Sequence, residues 1–200
     1  MIHSAATAIA KQWAINGIIH TEDREAYQYG VELLLSTLLN VAVLFSISIV
    51  IGYAWLFVPY LASFIPLRLS AGGYHAKNNL CCILLNASIY IAGLTAVLLL
   101  PTNLSAPLCI AESCLSLVVG IVFAPVSARN KPLSTSEYKR NRRLSLDLES
   151  LLLIVCLLFF YSDTLSYTMH RMVFCGQAAS TALITLEKLV GMAKRQCNQT

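Results

Sequence analysis

Beyond residue 30 the chain reads as a succession of long apolar runs separated by polar breaks. The first strong run extends from Val31 to Gly52, and a second, Ala54 to Leu67, follows almost at once. A third covers Leu80 to Leu100 and stops at Pro101-Thr102-Asn103; a fourth covers Pro107 to Val126. A fifth, Leu151 to Tyr161, is short. The last, Met172 to Val190, is less apolar, as suits a segment packed inside a bundle rather than against lipid. The second run is only about fourteen residues long, so a tilted short span and a re-entrant segment both fit it. Ahead of the runs, Ile2, Ala6, Ile9 and Trp13 recur at helical spacing with Lys11 and Gln12 off the stripe. That pattern predicts an interfacial amphipathic helix, too short and too polar to span. Thr21 followed by Glu22, Asp23 and Arg24 marks a helix start, because acidic side chains suit the positive end of the helix dipole.

Composition changes the picture from long apolar helices to a membrane protein. Hydrophobic residues make up 57% of the 200 and charged residues only 12%. A water-soluble domain of this size exposes too much of its chain to hide that much apolar surface. Lipid-facing backbone must satisfy its own hydrogen bonds, and the alternating strands of a barrel are not visible, so the runs read as helices. The mildly polar first sixteen residues, with no small-residue cleavage site after an apolar core, do not have the usual form of a signal peptide.

Charge then sets an orientation. With the N-terminus inside and a crossing at each run, thirteen of the fourteen Lys and Arg residues fall on the cytoplasmic side, leaving only Arg171 outside. This is the asymmetry of the positive-inside rule. The net charge of +4 is therefore mainly a topology signal, not a nucleic-acid signal; a surface for anionic lipid or an acidic peptide is the secondary reading. The expectation is an all-α, polytopic helical membrane protein forming a single integral membrane domain over residues 1–200. It has about six membrane segments, an interfacial helix over residues 1–20 and a basic cytoplasmic loop over residues 127–150, with both termini cytoplasmic.

The candidate chemistry lies in the polar stretch that begins at Arg68, expected as a catalytic loop and helix start over residues 68–82. It reads Arg68-Leu-Ser-Ala-Gly72-Gly73-Tyr74-His75-Ala-Lys77-Asn78-Asn79-Leu-Cys81-Cys82. Gly72-Gly73 breaks the helix and lets the backbone turn tightly. Asn78 or Asn79 caps the third span, so Cys82 falls in or just after its first turn. There the helix dipole, Arg68 and Lys77 favour an anionic thiolate, and His75 is a nearby base for it. Seven residues on one continuous helix would separate the pair by about 10.5 Å along the axis, so His75 is expected on a loop or separate helical piece that folds back. The residues alone equally fit an interfacial histidine and two packing cysteines. The seven cysteines form neither a disulfide framework nor a CxxC pair of zinc type, and Cys109, Cys114, Cys156 and Cys175 read as small core residues.

The string Arg68-x3-Gly72-Gly73-x-His75-x6-Cys82 resembles the signature of the accessory gene regulator protein B (AgrB) family. The order of spans is similar too, as is Ala124-Pro125-Val126 followed by Asn130-Lys131-Pro132-Leu133 and a basic run. The resemblance implies that His75 and Cys82, rather than Cys81, are the catalytic pair of a membrane cysteine endopeptidase; no cofactor is expected, and no metal, since a His/Cys/Cys site would have no apparent fourth ligand. Arg68 and Gly73 match further residues of the family motif, and Gly72 and Lys77 stand as supporting residues beside them. Arg68 either orients the loop, holds a substrate carboxylate or marks the interface. The long basic loop is similarly implicated in the family, but its pattern here, Lys139-Arg140-Asn141-Arg142-Arg143, does not carry over residue by residue; Lys139, Arg140, Arg142 and Arg143 are candidates to hold an acidic substrate tail, or serve as topology determinants only.

The implied substrate is an AgrD-type propeptide in the cytoplasmic membrane of a bacterium, and the implied assembly is a homodimer. Cys82 would attack the bond that separates the future signal from its tail, and His75 would act as base and then acid. An internal cysteine or serine of the propeptide would then displace the enzyme to close a thiolactone or lactone. Two rivals lack the proteolysis: a non-enzymatic membrane transporter or scaffold in which the motif is only a hinge, and an acyltransferase that uses Cys82 without cleaving a peptide.

Overall fold

The computed structural model describes residues 2–73, 79–126, 134–160 and 167–197. Among them every regular element is helical: α1 (Ile2–Ile15), α2 (Arg24–Ile51), α3 (Phe57–Ala71), α4 (Asn79–Leu99), α5 (Thr102–Phe123), α6 (Thr135–Phe160) and α7 (Tyr167–Cys197). The all-α expectation therefore holds. The described residues include three helices long and apolar enough to cross a membrane, Thr21–Ile51, Ala54–Ala71 and Leu80–Leu99, with a shorter apolar helix over Pro107–Phe123.

Two compact units divide the chain, residues 1–47 and 48–200. In the first, α1 follows the amphipathic stripe, with Ala6 and Ala10 buried. His3 Nδ1 lies 3.0 Å from Glu32 Oε2, joining α1 to α2. The expected start at Thr21 is realised as a single tight turn, Thr21–Asp23, from which α2 continues. Leu34, Leu38 and Phe45 of α2 are exposed, as lipid-facing side chains are.

The second unit is built around α7, which packs on α3, α4 and α5. Met172, Phe174, Ala179, Leu183 and Ile184 of α7 are buried, as its lower apolarity led us to expect. Small residues permit close approach. A Cβ at Gly176 would collide with the Ser63 hydroxyl and the Tyr60 carbonyl of α3, which sets the α3–α7 contact at backbone distance. Ser63 Oγ donates to the Val173 carbonyl at 2.6 Å across the same contact.

Polar side chains inside the unit find one another, because an unmatched polar group away from water costs more than an apolar one. Gln177 Nε2 and Ser116 Oγ both donate to Glu149 Oε2, the latter at 2.8 Å. Ser113 Oγ donates to Gln177 Oε1 at 3.1 Å. This junction ties α5, α6 and α7 together.

Two boundaries differ from expectation. The second apolar stretch does not stop at Leu67: the helix runs through Arg68 to Ala71. Eighteen residues, Ala54–Ala71, span roughly 27 Å, close to a bilayer core. The stretch expected as a basic loop over 127–150 is helical from Thr135 onward and continuous with the fifth run. A capping box starts it. Glu137 Oε2 accepts the Ser134 N–H at 2.9 Å, and Ser134 Oγ accepts the Glu137 N–H at 3.3 Å, so two otherwise unpaired amides are satisfied.

Candidate functional site

The site begins where α3 ends. Gly72 takes φ +76°, a backbone region costly for any residue with a Cβ. Its N–H still donates to the Arg68 carbonyl at 3.2 Å. It then pairs with Val126 in a short parallel bridge, where Val126 N–H donates to the Ala71 carbonyl at 2.8 Å. A Cβ on Gly72 would collide with the Val126 carbonyl oxygen. Gly73, at φ +130°, is closed in from a different direction: its Cβ would collide with Arg68 Nη1 and press on the α7 backbone at Leu183 and Ile184. The two glycines are thus required for separate reasons. Beneath them Ala71, Ala124 and Ile184 form a small buried cluster, with Val119, Phe123 and Val126 against it.

Arg68, expected at the start of a loop, sits in the last turn of α3. Its Nη1 donates to the Gly72 carbonyl at 3.2 Å, a cation on the negative end of its own helix. The guanidinium also stands within electrostatic range of Cys82 and of Glu187 on α7.

Cys82 lies in the first turn of α4, which begins at Asn79. Cys82, Asn86, Tyr90 and Leu94 recur every four residues and are all buried, so they form the inward stripe of the helix. Cys81 is turned about 100° away and is exposed. Helix geometry therefore separates the two adjacent cysteines, and it is Cys82 that faces the bundle. Asn86 Nδ2 donates to Cys82 Sγ at 3.6 Å.

The basic start of α6 reaches the same corner. Arg142 donates from Nη2 to the Ile121 carbonyl at 3.1 Å and from Nη1 to the Ala124 carbonyl at 3.3 Å. These are carbonyls at the C-terminal end of α5, where a cation is favourable. Lys139, Arg140 and Arg143 are exposed. Of the basic four, Arg142 is thus held on backbone while the other three are free to face a partner surface. His75 and Lys77 lie outside the described residues, as do Arg129 and Lys131. Among the described residues no three His, Cys, Asp or Glu side chains stand together as a metal site would need.

Three features were not anticipated from the sequence: Asn86 on Cys82, Arg142 on the end of α5, and Arg171. The last is buried, with Nη1 2.9 Å from the Val97 carbonyl and Nη2 3.3 Å from the Pro101 carbonyl. It caps the far end of α4, roughly 22 Å along the axis from Cys82. Only Asn86 left a local signal, an amide one turn from the cysteine inside an apolar run.

The helices and this corner define a polytopic α-helical membrane protein with a buried cysteine at one helix start. A family model described as Accessory gene regulator B matches residues 2–185. The chain belongs to the accessory gene regulator B family. It is 24% identical over 137 residues to accessory gene regulator protein B of Staphylococcus aureus strain bovine RF122 / ET3-1, covering 67% of this chain and 72% of that protein. The same figures hold for the protein of that name in Staphylococcus aureus strain JH9. No solved structure matches the chain.

Proposed function

We propose that this chain is a membrane cysteine endopeptidase that removes the tail of an AgrD-type propeptide and releases the signal part as a cyclic thiolactone or lactone for quorum sensing. The observation that carries the reading is Cys82: a buried thiol in the first turn of α4, facing the bundle, within electrostatic range of Arg68 beside the glycine corner. In the proposed reaction the Cys82 sulfur attacks the carbonyl carbon at the end of the future signal. His75 takes the thiol proton and returns it to the nitrogen of the departing tail as the C–N bond breaks. The signal is left as a thioester on Cys82. An internal cysteine or serine of the propeptide then attacks that carbonyl, closing the ring and returning the thiol to Cys82.

The cytoplasmic face of the membrane is the proposed location of the site and of both termini. Charge supports it: Arg68 and Arg142 lie at the Cys82 end of α4, Arg171 at the other. Lys139, Arg140 and Arg143 are the proposed contacts for an acidic tail, which makes binding sensitive to salt. The working assembly is a homodimer in the lipid bilayer. Co-expression with its propeptide, followed by intact mass, tests the activity. Wild type and Cys81→Ala are expected to shed the tail, while Cys82→Ala and His75→Ala leave the propeptide whole. Cleavage that survives in either of the last two removes the catalytic assignment.

A further inference from the structure

We infer that Asn86 is a positioning residue for Cys82: its side-chain amide, one turn further along α4, donates a hydrogen bond to the sulfur and fixes the orientation from which it attacks. The inference rests on the peptidase reading of Cys82. Asn86 is 9% exposed and Cys82 8%, so both sit on the inward stripe rather than on the lipid side. Nδ2 lies 3.6 Å from Sγ, within reach of an N–H···S bond. An amide inside an apolar span is costly unless it has a partner, and leucine would fill the position without that cost.

Asn40, in the apolar part of α2, donates from Nδ2 to the Ser36 backbone carbonyl at 2.9 Å, the local back-bond typical of short polar side chains. Asn86 aims the same group, at the same offset of four residues, at a side-chain sulfur. A hydrogen bond to sulfur is strongest when the sulfur is anionic. It orients the sulfur for attack and weakens once the sulfur is acylated, so the amide acts on the nucleophile and not on substrate affinity.

The test uses the full chain in lipid nanodiscs with Asn86→Leu, an apolar variant with the same branched heavy-atom skeleton, suited to a spanning helix, and Asn86→Gln, which keeps the amide. Two quantities are read: the iodoacetamide rate of Cys82 relative to exposed Cys81, resolved by peptide fragmentation, and kcat and KM for propeptide cleavage. Asn86→Leu is expected to lower the Cys82:Cys81 ratio and kcat on the order of tenfold each, with KM unchanged; Asn86→Gln recovers part of both. A ratio and kcat within about twofold of wild type in Asn86→Leu, or a Gln variant as poor as Leu, overturns the inference. A changed ratio in a chain that cleaves no propeptide keeps the Asn86 contact and discards the peptidase reading instead.

Discussion

At Gly73 the backbone sits at φ +130°, and any Cβ would meet the Arg68 guanidinium on one side and the α7 backbone on the other. The nearby groups include main chain, which cannot swing aside, and the conformation itself costs about 1–3 kcal/mol in an L residue. Gly73→Ala is therefore expected to lower propeptide cleavage by at least about tenfold, while Gly17→Ala, strained at φ +68° but with open space around it, leaves cleavage largely intact. A rate assay on membranes with matched protein amounts compares them; equal losses would mean that the crowding at Gly73 does not matter. The double glycine was legible as a helix breaker. That each glycine is held by a different neighbour was not, because Val126 and Leu183 are distant in sequence and nothing local points to them. The preference for Cys82 over Cys81 came from motif spacing; the structure adds that α4 buries Cys82 and exposes Cys81.

Element boundaries were legible wherever apolar runs ended in helix-breaking residues, as at Gly52 and Pro101. They were missed where a helix carried charge. Arg68 looked like the start of a loop because it is polar, yet its guanidinium satisfies the carbonyl end of α3 and so belongs to that helix. The start of α6 was read as loop for the same reason, although Ser134-x-x-Glu137 is a capping-box pattern visible in the sequence. Arg142 shows what such a charge does at this scale, since it holds two carbonyls at the end of α5 next to the Val126 bridge. Arg142→Gln is expected to destabilise the chain by about 1–2 kcal/mol and to lower cleavage by more than Lys139→Gln does. Thermal unfolding in detergent and a parallel cleavage assay measure both; a loss of cleavage with unchanged stability would assign Arg142 to substrate instead.

For the whole molecule, the order of apolar runs and the inward placement of the last helix could be read directly, because burial in lipid and burial in protein select different compositions. The partnerships among helices could not. The Ser116–Glu149–Gln177 junction joins three helices through residues that look merely polar along the chain. Arg171, outside by charge counting, is folded onto the far end of α4. These contacts place the cysteine at one end of the second unit. The most direct measurement uses purified chain with a propeptide whose internal nucleophile is replaced by alanine, so that the ring cannot close. After reaction, the Cys82 peptide is expected to carry the acyl group of the N-terminal propeptide fragment as a hydroxylamine-labile thioester, with one tail released per adduct. Tail release with the adduct on another residue, or no adduct on Cys82 at any time during turnover, would contradict the account.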